Sequence, residues 1–346
     1  MRSFWKIWLS LVALGALASV IAWQRWPHHE FEAKNRLRGH PEPAASAAMI
    51  ADALNPEHPA AASARAPLGD DWVFAVPHKE FQYSLPTSRR SGVDPCAAPA
   101  PAVAKVARPL SRGFLFSGDG SAIDAQGNFD LVIHLNGEGP VRRELVESEA
   151  PFILYTYTLP PNVSYAPHFA GSRLLQHLIE EITATLARER PNARPAHIAL
   201  SAWSAGFEGV RSILYQPEAA RIEALMLVDG LHSPRGQRAL ASQLEPFVAF
   251  ARRAQRGERW FAITHSSIPT YDYTSTTESA HFLVNALGGK PVRVQRDDGF
   301  GLELIELYDA GNLHVRGYVG NDKADHCAQL FLMRDLFRAL HRHFHP

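Results

Sequence analysis

With 346 residues, the chain is long enough for one large domain and additional segments. Lys plus Arg equal Asp plus Glu at 35 each, so no bulk charge argues for a nucleic-acid or polyanionic partner. Hydrophobic residues make up 46% of the chain, which allows a sizeable buried core.

Residues 1–26 differ from everything that follows. Arg2 and Lys6 precede an uncharged apolar run from Ile7 to Trp23, about long enough to cross a bilayer as a helix. Trp5, Trp8, Trp23 and Trp26 flank the run, as interfacial aromatics do. A cleavable signal peptide could end at Ala18, but the apolar pattern continues past that point, which favours an uncleaved anchor. Either reading keeps the basic residues inside and exports the rest, to the periplasm or the cell exterior. Residues 27–108 are rich in Ala and Pro and offer too little apolar surface to offset ordering entropy. They read as a partly disordered spacer, within which 72–76 and 81–85 are apolar enough to pack on a domain. The two cysteines, Cys96 and Cys327, either bridge in an oxidising compartment or remain separate thiols. A bridge would close a loop worth up to about 5 kcal/mol in the chain-entropy model.

From 109 to 346 the pattern is that of a folded α/β domain. Strands are expected over 114–116, 128–135 and 152–157, with glycine-rich turns between the first two and a proline-containing loop after the third. Leu174, Leu175, Leu178, Ile179, Ile182 and Leu186 recur at helical spacing over 172–190. Strands at 224–228 and 260–264 and helices over 235–255 and 277–287 follow. Three further strands, at 292–294, 302–307 and 313–319, lead to a last helix over 328–343. Alternating strands and helices imply a mostly parallel sheet flanked by helices on both faces.

The stretch from Ile198 to Gly209 organises this domain. An apolar strand runs into the small-residue turn Ala202-Trp-Ser-Ala-Gly206, and a helical pattern begins at Phe207. A serine on a sharp strand-to-helix turn needs small neighbours two residues before and after it, which Ala202 and Gly206 supply. An ordinary turn carrying an inert serine would show the same five residues. Taken with Val132-Ile-His-Leu-Asn-Gly137, Leu227-Val-Asp-Gly230 and Gly320-Asn-Asp-Lys-Ala-Asp-His326, the region from about 114 to the end resembles the α/β-hydrolases of the serine hydrolase type. Its departure is Ala202 in place of the first glycine of the turn.

The resemblance implies Ser204 as nucleophile, followed in chain order by an acid and a histidine. Of 17 histidines, three sets fall late enough: His314 inside a strand, His326 between the last strand and last helix, and His341, His343 and His345 on a polar helix face. His326 stands where the resemblance expects the base. Asp229, at the carboxyl end of its strand, is preferred as the acid; a capping role is its bland alternative. The usual place of the acid is after the next strand, where 264–268 holds none, and Asp272 is the alternative there. Asp322 and Asp325 could instead orient the His326 segment. The backbone N–H groups of Ala205 and, from the glycine-rich bend after strand 128–135, of Asn136 or its neighbour are expected to form the oxyanion hole, with ordinary turn glycines as the alternative for that bend. His265, Ser266 and Ser267 fall at the same edge, as pocket lining or helix caps. No phosphate loop, dinucleotide fingerprint, H-E-x-x-H or paired CxxC occurs, so neither cofactor nor metal is expected. The expectation is a membrane-anchored, exported serine hydrolase acting on an acyl ester or amide. A binding protein on a hydrolase fold without turnover, and a peptidase of the same fold, are the alternatives.

Overall fold

The computed structural model describes Cys96 and residues 107–117, 122–320 and 322–346. The expected membrane segment, and all of the spacer except Cys96 and its last residues, lie outside the described residues. Among the described residues no helix is long and apolar enough to cross a membrane.

The described residues form a ten-stranded sheet. Its strands in chain order are β1 (Ala107–Pro109), β2 (Phe114–Ser117), β3 (Asn128–Leu135), β4 (Phe152–Tyr157), β5 (Arg194–Trp203) and β6 (Ala224–Val228). β8 (Trp260–Ser266), β10 (Val292–Asp297), β11 (Glu303–Ala310) and β12 (Leu313–Tyr318) complete the sheet, while β7 (Ser233–Pro234) and β9 (Tyr273–Thr274), before and after β8 in the chain, pair as a separate two-stranded sheet. Their spatial order is β1-β2-β4-β3-β5-β6-β8-β12-β11-β10. The six central strands, from β4 to β12, run parallel. They are buried on both faces, which is why β3 and β6 read as nearly unbroken apolar runs.

Both edges are antiparallel, β1-β2-β4 on one side and β12-β11-β10 on the other. The sequence expectation of a mostly parallel sheet holds for the centre; at the far edge, connectors of a few residues between β10, β11 and β12 are too short for a parallel crossover.

Helices cover both faces. One layer contains α3 (Leu174–Ala187), α4 (Phe207–Leu214), α5 (Gln237–Gln255) and α6 (Thr276–Ala286), packed through Ile182, Val210, Phe247 and Leu283. The amphipathic spacing of Leu175, Leu178, Ile179, Ile182 and Leu186 places the buried face of α3 against the sheet. The other layer contains α1 (Glu138–Ser148) and the C-terminal α8 (Met333–Phe344), whose Leu336 and Phe337 meet Phe152 and Leu154. A short α2 (Ala166–Phe169) lies in the proline-containing loop.

One missing helix and one shifted boundary correct the sequence reading. Helix α1 is absent from it because the charged Arg142 and Glu144 are buried along with Val141 and Leu145, which masks the apolar period. The single terminal helix begins earlier, as α7 (Lys323–Ala328), a 3-10 turn at Gln329–Leu332 and then α8. Asp322 caps α7 by accepting from the Asp325 N–H at 3.0 Å, so His326 sits inside a helix rather than in a loop.

Candidate active site

The carboxyl ends of the parallel strands gather the residues singled out in the sequence. Three consecutive neighbours in the sheet, β3, β5 and β6, each end in a non-glycine residue with left-handed backbone: Asn136 (φ 73°), Ser204 (φ 52°) and Asp229 (φ 41°). Such backbone costs on the order of 1–3 kcal/mol per residue and persists only where its surroundings hold it. The surroundings are close-packed. A side chain on Gly206 would collide with the Leu135 carbonyl, and a Cβ on Gly230 would lie 2.6 Å from the Ser204 carbonyl oxygen. Ala202 is fully buried. The Ser204 turn is thus wedged between the segments that leave β3 and β6, and α4 starts directly after it.

Asp229 is buried and acts as a four-way acceptor. Its Oδ1 takes the Ser266 N–H at 2.9 Å and the Thr276 hydroxyl at 2.7 Å; its Oδ2 takes the Ser266 hydroxyl at 2.8 Å and His326 Nδ1 at 2.7 Å. Burial pushes the carboxyl pKa up, but the charge and hydrogen bond of His326, with those of Thr276 and Ser266, outweigh it and hold the group at about 2. An ionised acceptor fixes the proton of His326 on Nδ1 and leaves Nε2 as a base.

The His326 ring stacks on Trp203, with centroids 4.7 Å apart and planes 28° apart, and Trp203 Nε1 donates to the His326 carbonyl at 3.3 Å. The residue before Ser204 therefore seats the imidazole. Among the described residues Ser204 forms no hydrogen bond with that ring. Cys327, the next residue, is bonded to Cys96, with Cα atoms 5.4 Å apart. Of the two readings open in the sequence, the structure has the bridge.

The remaining candidates separate from this group. Asp272 is exposed in the loop before β9. His314, near the amino end of β12, pairs with Asp309 at 2.7 Å. His345 pairs with Asp130 at 2.6 Å near the start of β3, and His343 stacks on Trp260 at the start of β8, so both lie at the opposite, amino-terminal end of the parallel strands. Ser267 is tied to Gly320, accepting its N–H at 3.0 Å, and His265 faces Glu306 and His281.

Asn136 requires a correction as an oxyanion donor. Its N–H is spent on the Tyr157 carbonyl at 3.0 Å, and its side chain donates to the Trp203 carbonyl at 3.2 Å. Glu138 N–H is likewise engaged, by Thr158 Oγ1 at 3.2 Å. Gly137 stands between them. Buried His134 braces this bend, its Nε2 on the Asn136 carbonyl at 2.5 Å and its Nδ1 against Ser201 Oγ at 2.8 Å. Ala205 follows Ser204 at the start of a helical turn, where N–H groups have no partner within the helix.

Sequence reasoning missed Thr276 and His232. Thr276 opens α6 under a capping box of Ser275 and Glu278, a signal legible in the sequence, but its partner Asp229 is 47 residues away. His232 lies edge-on to Tyr273 and Phe207, and burial pushes its imidazole down to about 4, so it is neutral beside Asp229.

No family model matches this sequence, and no curated protein does either. Among solved structures the chain is similar to one described as "Structure of the histone deacetylase Clr3", at 8% identity over 52% of this chain and 35% of that chain, with a TM-score of 0.21. The chain spans about a third of that structure's length, and a likeness of that size bears on neither the fold nor the chemistry.

Proposed function

We propose that the chain is a serine hydrolase of the α/β-hydrolase type, acting on an acyl ester or amide through Ser204. The observation that carries this reading is the Asp229–His326 pair, 2.7 Å apart, beside a left-handed serine on the adjoining strand end. Ser204 Oγ attacks the acyl carbonyl as His326 Nε2 removes its proton. The proton passes to the leaving alkoxide or amine, and the acyl group stays on Ser204. Water, deprotonated by the same nitrogen, then releases the acid and restores the serine. Asp229, held ionised, keeps His326 in the accepting tautomer and stabilises the imidazolium. Stacking on Trp203 adds a favourable ring-face contact for that cation. The oxyanion is assigned to the N–H groups of Ala205 and Gly137, the latter replacing Asn136.

The Cys96–Cys327 bond supports an oxidising compartment, and with the basic-then-apolar residues 1–26 it supports an exported, membrane-anchored enzyme. Protease added to spheroplasts should digest the domain; a shielded or freely soluble full-length protein would contradict that location.

A fluorophosphonate probe tests the chemistry, because it reports an activated serine without knowledge of the substrate. The expected result is labelling at Ser204, abolished in Ser204→Ala and reduced in His326→Ala. The folded wild-type protein remaining unlabelled, and inert toward short and long acyl esters and aminoacyl amides, would favour a binding protein without turnover. That second reading has one observation on its side, the unbonded Ser204 hydroxyl.

A further inference from the structure

We propose that His134 is a positioning residue of the oxyanion hole, turning the Asn136–Gly137 peptide so that the Gly137 N–H faces the carbonyl oxygen of an acyl group at Ser204. His134 has this role only if Ser204 is the nucleophile, so it rests on the serine hydrolase reading.

His134 on β3 lies beside Ser201 of β5, its cross-strand partner, and both are fully buried. The pair faces the layer that contains α8, because Ser201 Oγ is 4.0 Å from Met333 Sδ. An apolar side chain would fill this position without the cost of burying an imidazole. What the imidazole adds is two placed hydrogen bonds, and their protons can be assigned. The Asn136 carbonyl oxygen only accepts, so Nε2 carries a proton and donates it across 2.5 Å. Burial pushes the ring down to about 4, so it is neutral and Nδ1 is an acceptor. The Ser201 hydroxyl, 2.8 Å away, donates to Nδ1 rather than to the more distant sulfur. Each ring nitrogen has one partner of the right kind, and the tautomer is fixed.

The consequence lies in the peptide that accepts the bond. A trans peptide is planar, and its C=O and N–H point in opposite directions. The Asn136 carbonyl and the Gly137 N–H belong to one such unit. Holding the carbonyl on His134, beneath the sheet, therefore turns the Gly137 N–H the other way. The N–H groups on either side are spent, Asn136 on the Tyr157 carbonyl at 3.0 Å and Glu138 on Thr158 Oγ1 at 3.2 Å. That of Gly137 has no hydrogen-bond partner among the described residues. The bend is set against the nucleophile by the Asn136 amide, which donates to the carbonyl of Trp203, the residue before Ser204. Asn136, at φ 73°, holds a left-handed backbone that persists only where its surroundings fix it, and the His134 bond is one of the contacts that do. A donor aimed before the reaction costs no reorganisation during it. A peptide turned wrongly would leave substrate binding intact and raise the barrier, so the role belongs to kcat rather than KM.

The test compares His134→Gln with His134→Asn in the full chain. A glutamine side chain can place its amide nitrogen where Nε2 stands, whereas asparagine reaches only as far as Nδ1. The probes are a soluble acyl ester and a trifluoromethyl ketone of the same acyl group, which adds to the serine as a mimic of the tetrahedral intermediate. Expected are a kcat within about threefold of wild type for His134→Gln and a fall of about 10²-fold for His134→Asn, with KM little changed. Ketone affinity should fall in parallel with kcat in His134→Asn. Nitrogen-15 NMR of the wild-type histidine rings reads the tautomer without any substitution, and the Nε2–H form is expected for His134. Equal kcat and equal ketone affinity in the two folded variants, a loss confined to KM, or an Nδ1–H tautomer in the wild type each overturn the proposal while leaving the serine hydrolase reading in place. A wild-type protein that neither hydrolyses esters nor labels with a fluorophosphonate overturns that reading, and the role of His134 with it.

Discussion

Replacing Asp229 by Asn perturbs one atom and tests the proposed acid directly. The carboxylate accepts from four donors: Ser266 N–H, Ser266 Oγ, Thr276 Oγ1 and His326 Nδ1. An amide must turn its NH₂ toward one pair of them. Turned toward His326, it forces Nδ1 to become the acceptor, moves the ring proton to Nε2 and removes the base. Turned toward Thr276 and the Ser266 N–H, it sets donor against donor. The first arrangement is expected to lower turnover by about 10⁴-fold, less than loss of the serine itself. Stability should fall too. The wild-type carboxyl is held at about 2, below its ordinary value, so its contribution is roughly 2–3 kcal/mol. A depressed carboxyl contributes stability above its unfolded pKa, near pH 4, and loses it as pH falls toward 2. Chemical denaturation of both proteins should therefore differ near neutrality and converge in acid, while turnover of a soluble ester is measured alongside. Near-normal turnover in Asp229→Asn together with a crippled Asp272→Asn would refute the acid assignment.

Ser204→Ala should fold normally and lose on the order of 10⁶-fold in turnover, and His326→Ala should match it while His314→Ala stays near wild type; steady-state kinetics on the purified variants decides. Gly230→Ala would put a methyl 2.6 Å from the Ser204 carbonyl, so the turn must shift and turnover should fall by about 10²-fold, with near-wild-type kinetics counting against the wedge. Breaking the Cys96–Cys327 bond should cost about 2–5 kcal/mol in denaturation and lower turnover as well, because Cys327 adjoins His326; unchanged stability on reduction would show that the bridge is not formed in solution.

How much of this was legible in the sequence depends on whether the information is local. The Ser204 turn could be read because strand, small residues and helix follow one another within a dozen positions. His326 could be read from chain order, although its placement inside α7 depends on the Asp322 cap. The fate of Asn136 could not, because its N–H is consumed only once β3 and β4 pair with Leu135 opposite Tyr157. The same holds for His265, His281 and Glu306, which share no motif spacing and meet only when β12 places β8 and β11 on its two sides.

The acid shows most clearly what register adds. The resemblance expects a carboxylate after the strand that follows β6, and the sequence there offers only Thr264-His-Ser-Ser. In the sheet, Val228 lies opposite Thr264, which brings Ser266, at the end of β8, alongside Asp229 at the end of β6. Ser266 then gives Asp229 both its N–H and its hydroxyl, and Thr276 reaches the same carboxylate from α6. The strand that lacks an acid thus supplies donors to the acid of its neighbour. A carboxylate with left-handed backbone on β6 can reach His326 because the next strand end holds its other lone pairs, which is also why Ser266 and Thr276 belong to the working site although neither touches His326 through a hydrogen bond.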